Sequence, residues 1–362
     1  MKSLMLAGAV SALFCIAVFA CGTSDSGSKD STSGGGGGGG DQPQPEGGAG
    51  GIGLDGSKPP EGSFNVGFGP QDAPPGEEHT KCVVKRLGNP ASMHVGTVHN
   101  VLGSGSHHLV VYRVNDTVEQ LTPFDCKPFT DTLDATKGST LMISQKADDA
   151  LILPEGVAYT LDANQMLRLE VHYINPGSTM KTVQATSTFI PIEDAKFKFE
   201  ADFLFVGNPD IQIPAKATTD LGPVFIKLPP EFEKVNFFAI TGHEHQYGTN
   251  VVVKTATDKA DPGTPVYDVP NWIWSEPATV QASPPFKLPA GGGFNLKCSW
   301  NNTSDSEVKF GESANEEMCF FWAYYYPSQG GAKVCVHTDK IPGGADACCP
   351  GASPVCDYIK NL

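Results

Sequence analysis

Residues 167–172 read Leu-Arg-Leu-Glu-Val-His, a strict alternation of apolar and polar side chains. A period of two residues predicts a β-strand that turns its three apolar side chains towards a core and the other three, His172 among them, towards the opposite face. His172 is therefore predicted to point out of its own sandwich, where a ligand can reach it. The alternative, for such a histidine taken alone, is a solvated surface group.

Similar segments rich in β-branched and aromatic residues recur along the chain, separated by clusters of glycine, proline, asparagine and aspartate. They span residues 83–86, 109–114, 167–174, 182–190, 197–205, 235–240, 250–255, 294–300 and 319–326. No long segment has the 3.6-residue period of an amphipathic helix. Short strands at this spacing predict an all-β protein made of antiparallel β-sandwiches. The chain is long enough for two, and the turn at residues 191–195 predicts the seam between them.

The first 20 residues carry one charge, Lys2, followed by an apolar run and small residues up to Cys21. This pattern predicts a signal peptide that is too short to span a membrane as a helix. Residues 18–21, Val-Phe-Ala-Cys, resemble the bacterial lipobox, in which the cysteine is lipidated and becomes the N-terminus. Gly22 follows this cysteine, at the position where an aspartate would favour retention in the inner membrane. We therefore expect an outer-membrane lipoprotein that faces the periplasm or the cell surface; the alternative is an ordinary signal peptide.

Residues 21–75 are dominated by glycine, serine, proline, aspartate and glutamine, with seven consecutive glycines at 34–40. A segment of this composition cannot bury enough apolar surface to offset its ordering entropy, so we expect a disordered tether. The predicted division of the rest is an N-terminal sandwich over 76–192, a C-terminal sandwich over 193–338 and a short cysteine-rich tail over 339–362.

The charge and the cysteines restrict the class of protein. A formal net charge of −15 makes nucleic acid an unsuitable partner, and we expect contact with the membrane through the lipid anchor only. Of ten cysteines, Cys15 lies in the signal and Cys21 is the predicted lipid attachment site, which leaves eight. An even number in an oxidising compartment predicts disulfides. Four of the eight lie within residues 335–356 and predict a disulfide-linked tail, with a zinc site as the alternative.

Five of the nine histidines lie in three short segments: Ser-His-His-Leu at 106–109, Glu-Val-His-Tyr at 170–173 and Gly-His-Glu-His at 242–245. On a strand, two histidines two residues apart share a face, whereas the adjacent pair His107 and His108 needs an irregular backbone, which the upstream Gly-Ser-Gly-Ser permits. Residues 316–319 add a methionine, Met318, which taken alone predicts core packing. Imidazoles together with a thioether are ligands that suit both oxidation states of copper.

The motifs HHLVVYR, LEVHYINP and GHEHQYG, and the segment LKCSWNNTSDSEVKFGESANEEMCFFWAYYYP, resemble in order those of the copper type II, ascorbate-dependent monooxygenases. This family includes dopamine beta-monooxygenase and the peptidylglycine alpha-hydroxylating enzyme. The resemblance runs from about Cys82 to Cys335 and is strongest to the dopamine beta-monooxygenase branch.

The resemblance implies two tandem jelly-roll domains that hold one copper each, on either side of a solvent-filled cleft. The first copper, held by His107, His108 and His172, would receive and pass on electrons. The second copper, held by the catalytic residues His243, His245 and Met318, would bind dioxygen and abstract hydrogen from a substrate C–H bond. A thioether at the second site favours Cu(I), the state that meets dioxygen. The resemblance also implies a disulfide between Cys298 and Cys319.

The sequence departs from the family pattern at several positions. Thr241 stands where the peptide-amidating branch has an arginine that binds the substrate carboxylate, so peptide amidation is not expected. Phe320 and Trp322 replace polar residues of that branch and favour an apolar or aromatic substrate. One family cysteine is missing, so we expect Cys335 to pair within the tail and Cys82 to pair with Cys126. His94 and His99 are interpreted as structural or surface groups, with a supporting role near the first copper as the alternative.

These observations predict a tethered copper monooxygenase that hydroxylates a C–H bond of a small organic substrate, with two coppers per chain, dioxygen and an ascorbate-like reductant. The first alternative is a surface lipoprotein that binds or sequesters copper without turnover. The second is an adhesion module that reuses the double sandwich, since a fold does not determine chemistry.

Overall fold

The computed structural model describes residues 48–49, 58–127, 138–341, 343–350 and 356. The predicted signal peptide, Cys21 and most of the predicted tether lie outside these residues. The described part belongs to one unit, residues 44–362. Its secondary structure is almost entirely β, which confirms the predicted fold class. No helix in this part has the length and apolarity to cross a membrane.

The first sandwich consists of two facing sheets. Its strands are β1 (Gly48–Ala49), β2 (Phe64–Ala73), β3 (Glu78–Arg86), β4 (Met93–Leu102), β5 (Ser106–Val114), β6 (Gln120–Asp125), β7 (Gly138–Ser144), β8 (Asp148–Ile152), β9 (Val157–Leu161), β10 (Met166–Ile174), β11 (Lys181–Ile192) and β12 (Phe199–Glu200). One sheet has the order β6-β3-β10-β5-β7 and the other the order β1-β2-β11-β4-β9-β12, with β8 also paired to β4. The alternating segment 167–172 lies in β10, at the centre of the first of these sheets.

The second sandwich follows directly. Its strands are β13 (Asp202–Gly207), β14 (Gln212–Ile213), β15 (Thr218–Lys227), β16 (Asn236–His243), β17 (Gly248–Ala256), β18 (Thr264–Asp268), β19 (Val280–Phe286), β20 (Gly293–Asn301), β21 (Val308–Lys309), β22 (Phe320–Tyr326), β23 (Lys333–Thr338) and β24 (Ala345–Cys349). One sheet has the order β19-β16-β22-β13-β23-β24, a second has the order β15-β20-β17-β18, and β14 pairs with β21. Short 3-10 turns occur at Asp194–Lys196 and Pro230–Lys234.

The sheet that contains β22 is buried on both of its faces. Phe320, Trp322 and Tyr324 belong to the core of the first sandwich, whereas the intervening residues Phe321 and Tyr325 belong to the core of the second. Tyr324 also accepts a hydrogen bond from the backbone N–H of Ile143 in β7, at 3.1 Å. Burial on both faces explains why 320–326, Phe-Phe-Trp-Ala-Tyr-Tyr-Tyr, is apolar or aromatic throughout instead of alternating.

The structure corrects the sequence prediction at three boundaries. Phe64–Ala73, assigned to the tether, form β2 and pair with β11, because the apolar residues among the glycines pack into the first core. Strand β12 pairs with β9 of the first sandwich, so the chain leaves that sandwich after residue 200, later than the predicted seam. The tail contributes β24, which extends the sheet of the second sandwich next to β23.

Disulfides join Cys82 to Cys126, Cys298 to Cys319, Cys335 to Cys348 and Cys349 to Cys356. The first two are the pairs named from the sequence, and the third joins Cys335 to the tail. All four tail cysteines are in disulfides, which excludes the zinc alternative because zinc binds thiolates.

Candidate metal centres

The first histidine cluster lies on two adjacent strands of one sheet. His108 in β5 stands opposite His172 in β10, and the pairing then shifts so that Tyr173 stands opposite Ser106. His107 is the extra residue of this β-bulge, and the bulge allows two consecutive side chains to approach the same point. Gly105, just upstream, has φ +89°, a backbone conformation that favours glycine. The irregular backbone that the adjacent pair required is therefore present.

The three rings of this cluster surround a common point. Their centres are 5.6 Å apart for His107 and His108, 5.3 Å for His107 and His172, and 4.9 Å for His108 and His172. Two imidazoles that share a metal with nitrogen–metal distances of about 2 Å have centres roughly 5 Å apart. The spacing of the rings thus fits a shared metal ion.

The orientation of these rings does not bring their nitrogens together. Among the described residues, three potential ligand atoms lie within 4.8 Å of one another at Cys82, Cys126 and Glu170. Cys82 and Cys126 form a disulfide, so that group offers no thiolate to a metal. In the first cluster the distances between ring centres fit a shared metal ion, but the ring nitrogens do not converge on one point.

His172 is only 5% exposed, although it points away from the core of its own sandwich as predicted. The second sandwich covers it. Its Nε2–H donates to Oε1 of Glu78, at 2.9 Å, which leaves Nδ1 as the nitrogen for a metal. The same Oε1 accepts the backbone N–H of Ala314, at 2.9 Å, and Oε2 accepts the hydroxyl of Ser313, at 3.4 Å. Glu78 therefore connects a ligand of the first cluster to the loop between β21 and β22.

The second cluster forms where β16 ends and β22 begins. His243 is the last residue of β16, His245 lies in the following turn, and Met318 precedes β22 by two residues. The rings of His243 and His245 have centres 5.1 Å apart, and Met318 is 2% exposed. The Nδ1–H of His245 donates to the carbonyl oxygen of Glu316, at 3.1 Å, which leaves its Nε2 for a metal. The disulfide between Cys298 in β20 and Cys319 joins the two sheets beside Met318.

A buried carboxylate holds the turn that carries His245. Oε2 of Glu317 accepts the backbone N–H of His245, at 2.8 Å, and the indole N–H of Trp300, at 3.0 Å. Oε1 accepts the backbone N–H of Tyr247, at 2.8 Å. Burial raises the pKa of Glu317 to about 7, while these donors act in the opposite direction. Burial, followed by the nearby Glu317, raises the pKa of Glu244 well above its usual range. Glu317, the residue next to Met318, therefore also positions His245.

Four of the five cluster histidines are neutral at pH 7, which is the form that binds metals. Burial lowers the pKa of His107 to about 4, with His172 acting in the same direction. Burial also lowers the pKa of His245 to about 3 and that of His108 and His243 well below their usual range. Imidazoles of the second cluster contribute to the lowering at His108, and imidazoles of the first contribute at His243. The two clusters therefore lie close enough to affect each other electrostatically.

Gln145 links the first sandwich to the second cluster. It follows β7 in the first sandwich, and its Oε1 accepts the Nδ1–H of His243, at 3.1 Å. This bond leaves Nε2 of His243 for a metal.

The expected solvent-filled cleft is replaced here by direct contacts, because the apolar face of the β22 sheet packs against the first sandwich. Cavities of about 410 and 420 Å³ flank the first cluster, one lined by His107 and Gln145 and the other by His172 and Glu78.

The remaining residues that the sequence singled out have structural environments. His94 stacks on Phe197 with ring centres 3.8 Å apart, and His99 pairs with Asp148 at 2.7 Å. Thr241 is buried and shares a hydrogen bond with Thr279. Phe320 and Trp322 are each 1% exposed and line neither cavity, so they do not form an open substrate pocket.

Sequence reasoning missed four residues of the site: Glu78, Gln145, Trp274 and Glu317. Trp274, from the loop between β18 and β19, places its ring edge-on to His107 with centres 5.1 Å apart. The sequence offered a signal for Glu317, because this residue directly precedes Met318. The others act across the contact between the sandwiches, and the sequence carries no local sign of that contact.

Residues 210–341 match a family model described as the C-terminal domain of copper type II ascorbate-dependent monooxygenases. This part of the chain belongs to that family. The match contains His243, His245 and Met318, the donor set of two imidazoles and a thioether that suits copper. The first cluster lies outside the matched residues, so its assignment to the same copper monooxygenase family depends on its geometry and on the motifs named above.

Two solved structures share weaker likenesses with the chain. The major capsid protein of bacteriophage PM2 is 10% identical, with a TM-score of 0.32, covering 74% of this chain and 99% of the capsid protein. A tail fiber protein of an E. coli phage is 7% identical, with a TM-score of 0.20, covering 77% of this chain and 40% of the fiber protein. At these scores neither bears on the function of the chain.

We expect Glu78→Ala to weaken copper binding at the first cluster by about 10- to 100-fold, the usual effect of removing a group that orients a ligand. Copper titration followed by electron paramagnetic resonance measures this loss. Glu77→Ala is the control, because it removes the same charge one residue away and the Glu77 carboxylate pairs with the exposed His79. Equal losses in the two variants would contradict the prediction.

We expect Glu317→Ala to destabilise the metal-free protein by several kcal/mol, since each buried donor left without its acceptor costs about 1–3 kcal/mol. Urea denaturation gives the free energy of unfolding. Glu307→Ala removes an exposed carboxylate paired with Lys309 and should change stability by no more than about 0.5 kcal/mol. A Glu317 variant as stable as this control would show that the three hydrogen bonds are not formed.

Proposed function

We propose that the protein is a copper-dependent monooxygenase that hydroxylates a C–H bond of a small organic substrate, using dioxygen and an ascorbate-like reductant. The observation that carries the proposal is the presence of two unlike donor sets, one in each sandwich, close enough to affect each other electrostatically. Three imidazoles form one set, and two imidazoles with Met318 form the other. Two different copper sites near each other favour electron transfer into oxygen chemistry over storage.

The residues of the chain have distinct roles in this proposal. Bound copper at the second cluster would supply oxygen activation, because a thioether favours Cu(I). Glu317 and the carbonyl of Glu316 orient His245, while Gln145 orients His243. Burial keeps four of the imidazoles unprotonated, those of His107, His108, His243 and His245, and the packed face of the β22 sheet limits the access of water to them.

Copper sequestration without turnover is the second candidate, since the same ligands bind copper whether or not a reaction follows. The short separation of two unlike sites favours the enzyme, because storage does not require the two sites to communicate. The adhesion alternative differs from both, since it predicts a protein that is purified without copper.

The deciding experiment measures copper content and reductant-dependent oxygen uptake of the native protein and of Met318→Ala. The candidate substrates include phenethylamines. We expect two coppers per chain, substrate-dependent oxygen uptake, and a loss of at least about 100-fold in uptake for the variant, as for the removal of a group that acts at the reacting centre. Met180→Ala is the matched control, since Met180 is 56% exposed and belongs to neither donor set. Native protein that binds two coppers without any oxygen uptake would overturn the enzyme proposal.

We further propose that the enzyme is held at the bacterial outer membrane by lipid on Cys21, facing the periplasm or the cell surface. The sequence at 18–21 and the following Gly22 support this location. We expect Cys21→Ser to abolish incorporation of labelled palmitate and to move the protein from the membrane fraction to the soluble fraction. Cys15→Ser is the control and should leave both unchanged. Membrane attachment that survives Cys21→Ser would contradict the anchor.

A further inference from the structure

Residues 311–317 form a loop between β21 and β22 that extends from the second sandwich to the first. A hydrogen bond closes the base of the loop, from the backbone N–H of Gly311 to the carbonyl oxygen of Glu317, at 3.2 Å. A second one forms a turn at its tip, from the N–H of Glu316 to the carbonyl oxygen of Ser313, at 2.9 Å. Because both bonds lie within the loop, a displacement of its tip is passed on to Glu316.

The first sandwich holds the tip of this loop. Glu78, the first residue of β3, accepts the backbone N–H of Ala314 at 2.9 Å and the hydroxyl of Ser313 at 3.4 Å. The oxygen that accepts the N–H of Ala314 also accepts the Nε2–H of His172, at 2.9 Å. One carboxylate oxygen therefore contacts both a ligand of the first cluster and the loop of the second sandwich.

The other end of the loop supports the second cluster. The carbonyl oxygen of Glu316 accepts the Nδ1–H of His245, at 3.1 Å, and Met318 follows two residues later. Glu316 itself is exposed, so hydrogen bonds, more than packing, hold this part of the chain. The bonds at Glu78 therefore help to place the acceptor of His245, on the far side of the contact between the sandwiches.

A metal at the first cluster acts on the same carboxylate. Nδ1 is the nitrogen that His172 has left for a metal, and a cation bound there makes the Nε2–H a stronger donor to Glu78. The stronger bond fixes Glu78 and, with it, the N–H of Ala314. Without such a link the two sites would affect each other through repulsion between like charges alone, and filling one would weaken the other. The sign of the effect therefore distinguishes the two cases.

We propose that Glu78, a residue of the first sandwich, is a positioning residue for the second metal centre. Filling of the first cluster strengthens its hold on the 311–317 loop, and the loop orients His245 and Met318. Copper at the first cluster thus raises the affinity of the second, and by linkage the second raises that of the first. The proposal rests on one part of the proposed function, metal binding at both clusters, and does not require turnover.

The test measures copper(I) affinity of the full chain by anaerobic competition with a chromophoric copper(I) chelator. Met318→Ala identifies which binding step belongs to the second cluster. X-ray absorption of the copper(I)-loaded protein adds a second measurement, the sulfur neighbour that Met318 supplies to copper. A general loss of stability would not move this signal, whereas a displaced loop would lower it.

Four proteins form a double-mutant cycle: the native chain, His108→Ala, which disables the first cluster, Glu78→Ala, and the double variant. We expect Glu78→Ala to weaken copper(I) binding at the second cluster by at least about fivefold, the lower end of the usual coupling between sites. It should also lower the sulfur signal. His108→Ala should weaken the second cluster in the native background, and in the Glu78→Ala background it should change the affinity by less than about twofold.

Two further variants separate positioning from charge. Glu78→Gln retains a carbonyl oxygen for the N–H of Ala314, so it should preserve second-site affinity better than Glu78→Ala. Glu77→Ala removes the same charge one residue away, where the carboxylate pairs with the exposed His79, and is the matched control. Circular dichroism and thermal unfolding check that all variants are folded.

Three results would overturn the proposal: second-site affinity that does not depend on Glu78, a gain of affinity in His108→Ala, or a Glu78→Gln variant as weak as Glu78→Ala. Failure of the proposed function is a different result. Coupling through Glu78 in a protein without oxygen uptake would retain this inference and exclude the monooxygenase. Oxygen uptake by a protein whose second site is indifferent to Glu78 would retain the monooxygenase and exclude this inference.

Discussion

The two histidine clusters meet because the sheet containing β22 is apolar on both of its faces. One face completes the core of the second sandwich, and the other, with Phe203, Phe205, Phe320, Trp322 and Tyr324, completes the core of the first. Burying each large apolar side chain contributes roughly 1.5–3 kcal/mol, so this contact strongly favours the association of the two sandwiches. The same strand begins two residues after Met318, so the apolar contact also places the second cluster against the first.

This arrangement has an electrostatic consequence. Removing His107, His108, His243 and His245 from water keeps these four imidazoles neutral and able to bind metal, but it also leaves little solvent to compensate the charge of a bound ion. Carboxylates adjacent to the ligands take that role. His172, by its hydrogen bond, lowers the pKa of Glu78 to about 2, so Glu78 remains ionised beside the first cluster. Its negative charge lies one hydrogen bond from a ligand, where it compensates a metal cation and increases the basicity of the imidazole.

The sequence predicted those parts of the structure that depend on local patterns. The alternation at 167–172 identified β10 and the orientation of His172, and the glycines at 103 and 105 predicted the irregular backbone beside His107. The contacts that hold His172 and His243 were not predictable from local patterns. Glu78 lies 94 residues from His172 in the chain, and Gln145 lies 98 residues from His243. Strand β2 was missed because it contains two glycines and a proline among ten residues and directly follows the glycine-rich segment; its pairing with β11 outweighs that local preference.

The ligands of each cluster and the links between the clusters are held by different parts of the chain. His108 and His172 lie on paired strands of one sheet, so their spacing is fixed by the hydrogen bonds of that sheet. Each contact that joins the two sandwiches beside the clusters instead involves a loop: Gln145 follows β7, Trp274 lies between β18 and β19, and Ala314 precedes β22. A displacement of one sandwich relative to the other would therefore change the contacts between the clusters while it left the ligand set of the first cluster intact. Electron transfer between the sites and the ligand set of the first cluster thus depend on separate sets of interactions, so substitutions can alter one without the other.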